Sequence, residues 1–480
     1  MRIEEYESQL FLNLISMITL FGPHIVNLAF ATQPTIFAYQ TDTSQHSNHT
    51  MTPKAYILEL PTEMLVHIAN ALKDGSDPLA LRSTCTNLER ATNDAFAAKY
   101  FAVRTHLFTR YGLQTLVDIT KHPYLGRKVQ KIELIVKDLR RGSFGPYDDY
   151  GDIPWTSDPY STEAQKLAAR RYAEGRDQGW ASWDADAEAL LDESRVATTL
   201  GEAFAALASV DASVEMDING EMRNCYYEDP PAPYGMKHLL AGIGNGLKQQ
   251  DLRNGELDFA LQSVVTAMGR TGLKCHTFSI GDHYEGNLTS SAFEFMDAGP
   301  LTVHPCLASM TKLQLCFGYG LPVDTEAQES TIIDFGRACV NLRELRLGWN
   351  GYESMSKPDA LAIIGEAFTS RHLNSFHLMA LSSDAEGYIK FLDSRRESLT
   401  KLTLNNLLLP ESQCWSTVLR WILHHAQLEY LKLDTLAQYE PYAVVNDDDD
   451  NETFVFKGDV EGVKEQLRGL LPKMRYKNYD

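Results

Sequence analysis

Cysteine is sparse in this chain, and its cysteines never form close pairs. Seven cysteines are spread over 480 residues, and no two are separated by only two residues. The short spacings that hold zinc or carry out thiol–disulfide exchange are therefore absent from the sequence. An odd and scattered set is typical of reduced thiols in a protein core. We accordingly expect a reducing compartment, the cytoplasm or the nucleus.

Basic residues are also in the minority. Lys and Arg number 44 against 64 Asp and Glu, which gives a formal net charge of −20. A protein that binds nucleic acid through its phosphates needs clustered Lys and Arg. We therefore expect no nucleic-acid partner, and the simplest interpretation of the acidic charge is solubility.

Motifs that position catalytic groups are missing from the sequence. It contains no nucleophile elbow, no HExxH, no phosphate-binding loop and no kinase signature. The adjacent His424 and His425 diverge by about 100° on a helix, so they cannot both face one metal ion. The glycines at 242, 244 and 246 lack the spacing of a dinucleotide-binding turn. We predict a protein that is not an enzyme and holds neither a cofactor nor a metal.

Charged residues are absent from Gln9 to Gln40, which raises the question of a signal peptide or a membrane anchor. Two features argue against both. The preceding residues include three glutamates and a single arginine, and prolines at 23 and 34 interrupt the apolar run. We interpret residues 1–54 as a disordered extension or a gene-model artefact, with Met51 as an alternative start. A membrane-anchored repeat protein remains a further alternative.

The stretch 55–101 predicts three short helices. After Pro61, a suitable first helical residue, one stripe of a helix carries the apolar residues. They are Met64, Leu65, Ile68, Ala69 and Leu72. Asp77-Pro78 predicts the start of a second helix, and Thr86 with Glu89 predicts a capping box that opens a third. So small a unit seldom buries enough surface to be stable alone, so we expect it to complete its core against a partner.

The order of residues in this stretch resembles the F-box of fungal F-box/leucine-rich-repeat proteins. The resemblance rests on Leu60-Pro61-x-Glu63-Met64 with Ile68 and Leu72, followed by Asp77-Pro78-Leu79-Ala80-Leu81-Arg82-x-x-Cys85, and it covers about a tenth of the chain. The tryptophan that many F-boxes carry near the third helix is absent; Phe96, Tyr100 or Phe101 are the aromatics available to replace it.

The resemblance implies that the unit docks the Skp-type adaptor of SCF ubiquitin ligases and, through it, a cullin. The residues that we expect to bury their side chains partly on one another and partly on the adaptor are Leu60, Pro61, Met64, Leu65, Ile68, Leu79, Leu81 and Leu88. An ordinary helical hairpin within a larger helical domain is the alternative.

Two segments precede the regular part of the chain. Residues 102–137 predict a linker helix that breaks at His122-Pro123 and then a first strand at Val129–Val136, where Ile132, Leu134 and Val136 alternate. Residues 138–195 are acidic and rich in aromatics, Gly and Pro, and we interpret them as an insertion at the rim of the next domain, with a partner-binding loop as the alternative.

Residues 196–480 alternate predicted helices and short strands. Six segments share the frame L-x-x-L-x-L in loose form, and they begin at residues 275, 310, 342, 373, 399 and 428. Their spacing lies at or just above the leucine-rich-repeat period of roughly 20–29 residues. We predict an α/β fold: a degenerate leucine-rich-repeat-like solenoid of short parallel strands and helices, closed by a cap helix at Asp459–Leu471. A doubly wound α/β fold is the alternative.

The functional expectation is a substrate-recognition subunit of an SCF-type ubiquitin ligase, whose solenoid binds a target protein. Aromatic residues that follow predicted strands are candidates for exposed target contacts, with core packing as the alternative for each. They are Phe317, Tyr319, Trp349 and Tyr352. The alternative function is an F-box/repeat scaffold without ligase activity.

Overall fold

The computed structural model of the chain describes residues 60–71, 81–136, 193–219, 257–281, 288–298, 305–317, 326–349, 360–409, 415–438 and 453–471. The chain divides into two compact units, Met1–Ala102 and Val103–Asp480. In its described residues the first unit is helical, and the second is a mixed α/β unit.

The first unit contains the helices α1 (Thr62–Ala71) and α2 (Thr86–Phe101), and residues 81–84 are also helical. Helix α1 starts directly after Pro61, whose carbonyl accepts hydrogen bonds from the amides of Met64 (3.0 Å) and Leu65 (3.2 Å). Proline suits this place because the first amides of a helix have no partner within it.

The start of α2 differs from the prediction. Cys85 is the residue that precedes the helix, and it makes no side-chain capping bond, so the predicted capping box of Thr86 and Glu89 is wrong. Thr86 already lies inside the helix, where its hydroxyl cannot cap the first turn. The Glu89 carboxylate instead lies 3.7 Å from the Arg82 guanidinium, at the end of the preceding helical segment.

The second unit is organised around one ten-stranded sheet whose strands follow one another in chain order. Strands β1 to β9 are parallel, and β10 is antiparallel to β9. The strands are β1 (Val103–Leu107), β2 (Lys131–Ile135), β3 (Ser213–Asn219), β4 (Lys274–Ile280), β5 (Lys312–Phe317), β6 (Glu344–Trp349), β7 (Ser375–Met379), β8 (Lys401–Leu409), β9 (Tyr430–Gln438) and β10 (Thr453–Lys457).

Helices connect most successive strands, and neighbouring helices along the chain pack against each other in a layer. They are α3 (Arg110–Lys121), α4 (Glu193–Ala208), α5 (Leu257–Thr271), α6 (Pro305–Ser309), α7 (Glu326–Ala338), α8 (Ala360–Ala367), α9 (Ala385–Asp393), α10 (Trp415–His425) and α11 (Val460–Leu470). Short 3₁₀ helices lie at Gly126–Lys128 and Ser290–Ala298.

The core lies between this helical layer and one face of the sheet. On that face, every second strand residue is buried, and the registered pairs form rows that cross the sheet. Phe376 on β7 makes a T-shaped contact with Phe391 on α9, with 4.8 Å between the ring centroids, so this face of the sheet packs against the helices. The rows on β2 to β9 contain Ile132, Leu134, Met216, Ile218, Phe278, Ile280, Leu313, Leu315, Leu345, Leu347, Phe376, Leu378, Leu402, Leu404, Leu431 and Leu433.

The predicted alternation of helices and parallel strands is confirmed. Each of the six L-x-x-L-x-L frames overlaps one of the strands β4 to β9. A doubly wound fold needs a point where the strand order reverses, and the order of the described strands does not reverse. The observed fold is therefore compatible with a solenoid, in which each unit contacts chiefly its neighbours.

Strand β1 was not predicted, so the strand expected at Val129–Val136 is β2, the second of the sheet. In β1 the row positions beside Ile132 and Leu134 are held by Arg104 and His106, both buried. These two polar residues remove the apolar alternation that would have marked the strand.

Candidate functional site

The predicted adaptor-binding residues of the first unit fall into two sets. Leu65, Ile68, Leu81 and Leu88 are at most 6% exposed and, with Ala69, form the core of the unit. Their large apolar side chains stabilise the packing of α1 against α2 and are closed to a direct contact.

The second set is accessible. Pro61 is exposed and Met64 is half-buried, while Leu60 is half-buried against the core. Leu79 lies outside the described residues. Of the expected anchors, the accessible apolar surface at the start of α1 therefore consists of Leu60, Pro61 and Met64, which we call the α1 edge.

The aromatic residues expected in place of the missing tryptophan lie near the end of α2. The Arg82 guanidinium lies over the Phe96 ring, 4.1 Å from its centroid, and donates a hydrogen bond of 3.0 Å to Asn93. Phe96 also contacts Tyr100 at 4.8 Å between ring centroids. A cation on an aromatic face stabilises by about 0.5–1 kcal/mol at an accessible site. Arg82 thus ties the end of the preceding helical segment to α2.

The prediction that Phe317 and Trp349 are exposed target contacts is wrong. Phe317 and Trp349 are each 1% exposed, and their rings stack at 5.4 Å. Both are the last residues of their strands, and the two-residue period of a strand puts them on the same face as the buried leucines. They therefore pack in the core with Phe293, and Tyr319 and Tyr352 lie outside the described residues.

The opposite face of the sheet, here called the open face, carries the alternate strand residues. Its rows consist mainly of polar and charged side chains, many of them accessible to solvent. From β2 to β9 one row runs through Lys131, Glu215, Thr277, Lys312, Glu344, Ser375, Lys401 and Tyr430. The next runs through Glu133, Asp217, Ser279, Gln314, Arg346, His377, Thr403 and Lys432.

On β1 to β3 the open face holds a connected set of polar groups. The Lys131 ammonium lies 2.5 Å from Glu133 and 3.2 Å from Asp217, while the Thr105 hydroxyl donates to Glu133 at 2.7 Å. Asn219 donates a hydrogen bond of 2.8 Å to Asp217. Burial disfavours the charged lysine, but the hydrogen bond with Glu133 and the charge of Asp217 outweigh it and raise the pKa of Lys131.

Between β3 and β4 the register shifts, and the extra residue is a histidine. Val214 and Glu215 pair with Cys275 and Thr277, so His276 forms a bulge. Its ring lies 3.4 Å from Glu215 and 3.0 Å from the Ser213 hydroxyl. This part of the open face therefore exposes Glu215 and His276 side by side.

On β5 to β9 the open face is richer in basic side chains. Glu344 lies 3.7 Å from Lys312 and 2.7 Å from Arg346, so one carboxylate faces two cations. Lys432 pairs with Asp434 at 3.1 Å, and Lys457 lies 5.5 Å from the Tyr430 ring centroid. These side chains offer charge and hydrogen bonds to a binding partner.

Three of the five described cysteines are buried thiols with a raised pKa. Cys275, Cys306 and Cys339 are buried free thiols. Burial raises the pKa of the Cys306 thiol to about 12, and it also raises the pKa of Cys275 and Cys339. Such thiols stay protonated at neutral pH and are poor nucleophiles and metal ligands. Among the described residues, His, Cys, Asp and Glu side chains do not gather in groups that would hold a metal ion.

The basic residues of the open face were missed as site candidates in the sequence. They occupy the variable positions of L-x-x-L-x-L, where any polar residue satisfies the pattern. In the part of the chain that the structure describes, every helix is too short or too polar to span a bilayer. Comparison of the chain with protein-family models and with curated proteins gives no match.

Proposed function

We propose that the chain is the substrate-recognition subunit of an SCF-type ubiquitin ligase. The first unit docks a Skp-type adaptor, which joins it to a cullin, and the open face of the sheet binds the target protein. The observation that carries this proposal is the combination of an F-box-like residue order with an accessible α1 edge beside a five-residue core in the described part of the unit.

The small core supports docking on thermodynamic grounds. In the described part of the first unit, five buried residues make up the hydrophobic cluster, with Leu60, Cys85, Ala91 and Ala95 packed against it. Burying a large apolar side chain contributes about 1.5–3 kcal/mol, so an adaptor that covers Leu60, Pro61 and Met64 stabilises both the complex and the unit.

The sheet unit supports the role of target receptor. The sheet has helices against one face, and the registered rows position the polar side chains of the other face, which are most accessible on β5 to β9. In the proposed complex this protein forms and breaks no bonds. It raises the effective concentration of the target near the conjugating enzyme.

The experiment is co-precipitation of the full chain with a Skp-type adaptor, comparing Met64→Asp with the parent chain. Met64 is half-buried on the α1 edge, so a carboxylate there opposes burial against the adaptor while leaving the core of the unit in place. We expect at least a tenfold loss of captured adaptor. Undiminished capture by Met64→Asp contradicts the proposal.

The matched control is Ala98→Asp, which adds the same charge at an exposed position of α2. It is expected to retain adaptor binding. Leu65→Asp is unsuitable as a surface probe, because Leu65 belongs to the core and a buried carboxylate there unfolds the unit. A cullin in the same precipitate supports the ligase assembly; adaptor without cullin favours the scaffold alternative.

A further inference from the structure

The charge on the open face of β5 to β9 is opposite in sign to that of the whole chain. The chain carries 64 acidic and 44 basic residues. The open-face positions of these five strands hold four basic residues against two acidic ones, an excess of 4 − 2 = 2 positive charges. The basic residues are Lys312, Arg346, Lys401 and Lys432, and the acidic residues are Glu344 and Asp434.

The two acidic residues are already engaged. Glu344 lies within 4.0 Å of Lys312 and Arg346, and Asp434 lies 3.1 Å from Lys432. Lys401 is exposed, and its row neighbours are Ser375 and Tyr430, so no carboxylate flanks it across the sheet. In the described part of the chain no ion pair engages its ammonium. One unbalanced positive charge therefore lies on β8 at Lys401, and the other lies on β5 and β6, where Lys312 and Arg346 share one carboxylate.

The other half of the open face has the opposite character. On β2 and β3 this face carries the carboxylates of Glu133, Glu215 and Asp217 and one cation, Lys131; Glu133 and Glu215 are accessible, whereas Asp217 is 2% exposed. Because Lys131 is held between Glu133 and Asp217, it offers little charge to a ligand. The open face is thus acidic at one end and basic at the other, which favours one orientation of a charged ligand.

We infer that the open face of β5 to β9 binds an extended, acidic segment of the target protein. This inference rests on the proposed function, which makes the open face the target-binding surface. Adjacent strands are about 4.8 Å apart, so five strands span roughly 19 Å. An extended chain advances about 3.3 Å per residue, so about six residues with alternating acids match this span.

Polar side chains between the cations suit such a segment. Gln314, Ser375, Thr403 and Asn405 are half-buried on the same strands and can donate to peptide carbonyls or to carboxylates. A nucleic acid is the less favoured occupant, because its regularly spaced phosphates would also meet the accessible carboxylates of Glu133 and Glu215. Nucleic acid is therefore an outcome of the test.

The test is fluorescence anisotropy of the full chain with a labelled peptide of alternating Glu and Ser, about twelve residues long so that it exceeds the span of the strands. Peptides of alternating Lys and Ser, and of Gln and Ser, serve as references. We expect only the glutamate peptide to bind, and we expect its affinity to fall as salt is added. A chain that does not bind the glutamate peptide overturns the inference.

Two double variants locate the binding. The variant with Lys312→Glu and Lys401→Glu reverses two exposed charges on the open face. Its affinity for the glutamate peptide is expected to fall about tenfold or more. The variant with Lys390→Glu and Arg420→Glu makes the same charge change at exposed positions of α9 and α10. Its affinity for the glutamate peptide is expected to stay within about twofold of that of the parent. Equal losses in both variants overturn the inference, as does tighter binding of a single-stranded oligonucleotide through the same lysines.

The experiment separates this inference from the proposed function. The open-face variant is expected to capture the Skp-type adaptor normally, and Met64→Asp is expected to bind the glutamate peptide normally. Intact adaptor binding without peptide binding rejects only the acidic target, whereas peptide binding without adaptor binding rejects only the ligase role.

Discussion

At the scale of single residues, the core of the sheet unit accepts polar side chains that perform particular structural roles. Arg395 is 7% exposed and donates to the carbonyls of Gly365 (2.9 Å) and Phe368 (2.6 Å), at the C-terminal end of α8. Its guanidinium also lies 4.7 Å from the Phe391 ring centroid. Burial lowers the pKa of Arg395 to about 10, so it stays charged at neutral pH and complements the negative end of the helix dipole.

His106 makes the stability of the sheet unit dependent on pH. It is fully buried in β1, and burial together with the charge of Arg104 lowers its pKa to about 3 from an ordinary value of 6.5. Between these two values the unfolded chain binds a proton that the folded chain does not. The free energy of unfolding therefore falls as the pH decreases from about 6.5 toward 3, with a slope of up to about 1.4 kcal/mol per pH unit from this residue.

The measurement compares urea unfolding of the parent chain and of His106→Gln at pH 7.5 and at pH 5. Glutamine cannot be protonated in this range. Between the two pH values we therefore expect the free energy of unfolding to fall by about 1–2 kcal/mol more in the parent than in the variant. His372→Gln, at an exposed position, is expected to follow the parent. Equal pH dependence of the parent and His106→Gln would contradict this, because it would mean that His106 binds a proton as readily in the folded chain as in the unfolded chain.

At the scale of secondary-structure elements, the close approach of α7 and α8 depends on a glycine. A Cβ at Gly336 would lie 2.7 Å from both the carbonyl carbon and the Cβ of Ala367. Real Cβ atoms do not come this near to backbone, so a larger residue forces the two helices apart. The position therefore demands glycine for packing, although glycine is a weak helix former.

Two helical glycines allow this explanation to be tested with the same substitution. Gly336→Ala is expected to lower the free energy of unfolding by about 1–3 kcal/mol, because overpacking outweighs the gain in helix propensity. At Gly365 in α8, a Cβ would meet only the Phe391 ring, at 3.8 Å, so Gly365→Ala is expected to be neutral or to stabilise by about 0.5–1 kcal/mol. Thermal and urea unfolding measure both. A stabilising Gly336→Ala would contradict the close packing of these helices.

The elements that could be predicted are those whose sequence repeats the core pattern. Strands β4 to β9 each hold large apolar residues at the frame positions, and helices such as Trp415–His425 carry a strong apolar stripe. Strand β1 was hidden because Arg104 and His106 occupy its core positions. Phe317 and Trp349 were misjudged because their strands run farther than the frame, which places both rings in the core.

The candidate site was predictable only where it overlaps a distinctive residue order. The stretch around Pro61 and Met64 has such an order, so candidates could be named from the sequence, although four of the eight residues lie in the core of the unit. The open face has none, since Lys312, Lys401 and Lys432 lie on the separate strands β5, β8 and β9 and share one face only in the folded sheet. The six frames align with the observed register of β4 to β9, but they specify only the apolar positions and do not mark which polar side chains form a binding surface.

At the scale of the whole molecule, each element of the sheet unit contacts mainly the elements next to it in the sequence. Each strand pairs with the strands before and after it in the sequence, and the same holds for most helices. Stability in such an array is approximately a sum of local terms, so damage at one end need not spread to the other. At one edge of the sheet β10 pairs antiparallel with β9, and α11 packs against β10 and α10.

Leu467 in α11 tests whether the array behaves in this way. It is 1% exposed, and Leu467→Ala is expected to lower the free energy of unfolding by about 2–5 kcal/mol, because apolar burial is lost and a cavity remains. Because the loss is local, hydrogen–deuterium exchange should accelerate in α11, β10 and β9 and remain unchanged in β2 to β5. Glu465→Ala, at an exposed position two residues away in α11, is expected to leave the whole pattern unchanged. Faster exchange throughout the sheet of Leu467→Ala would mean that the unit unfolds as one cooperative block, and the open face would then lose its shape whenever this edge opens.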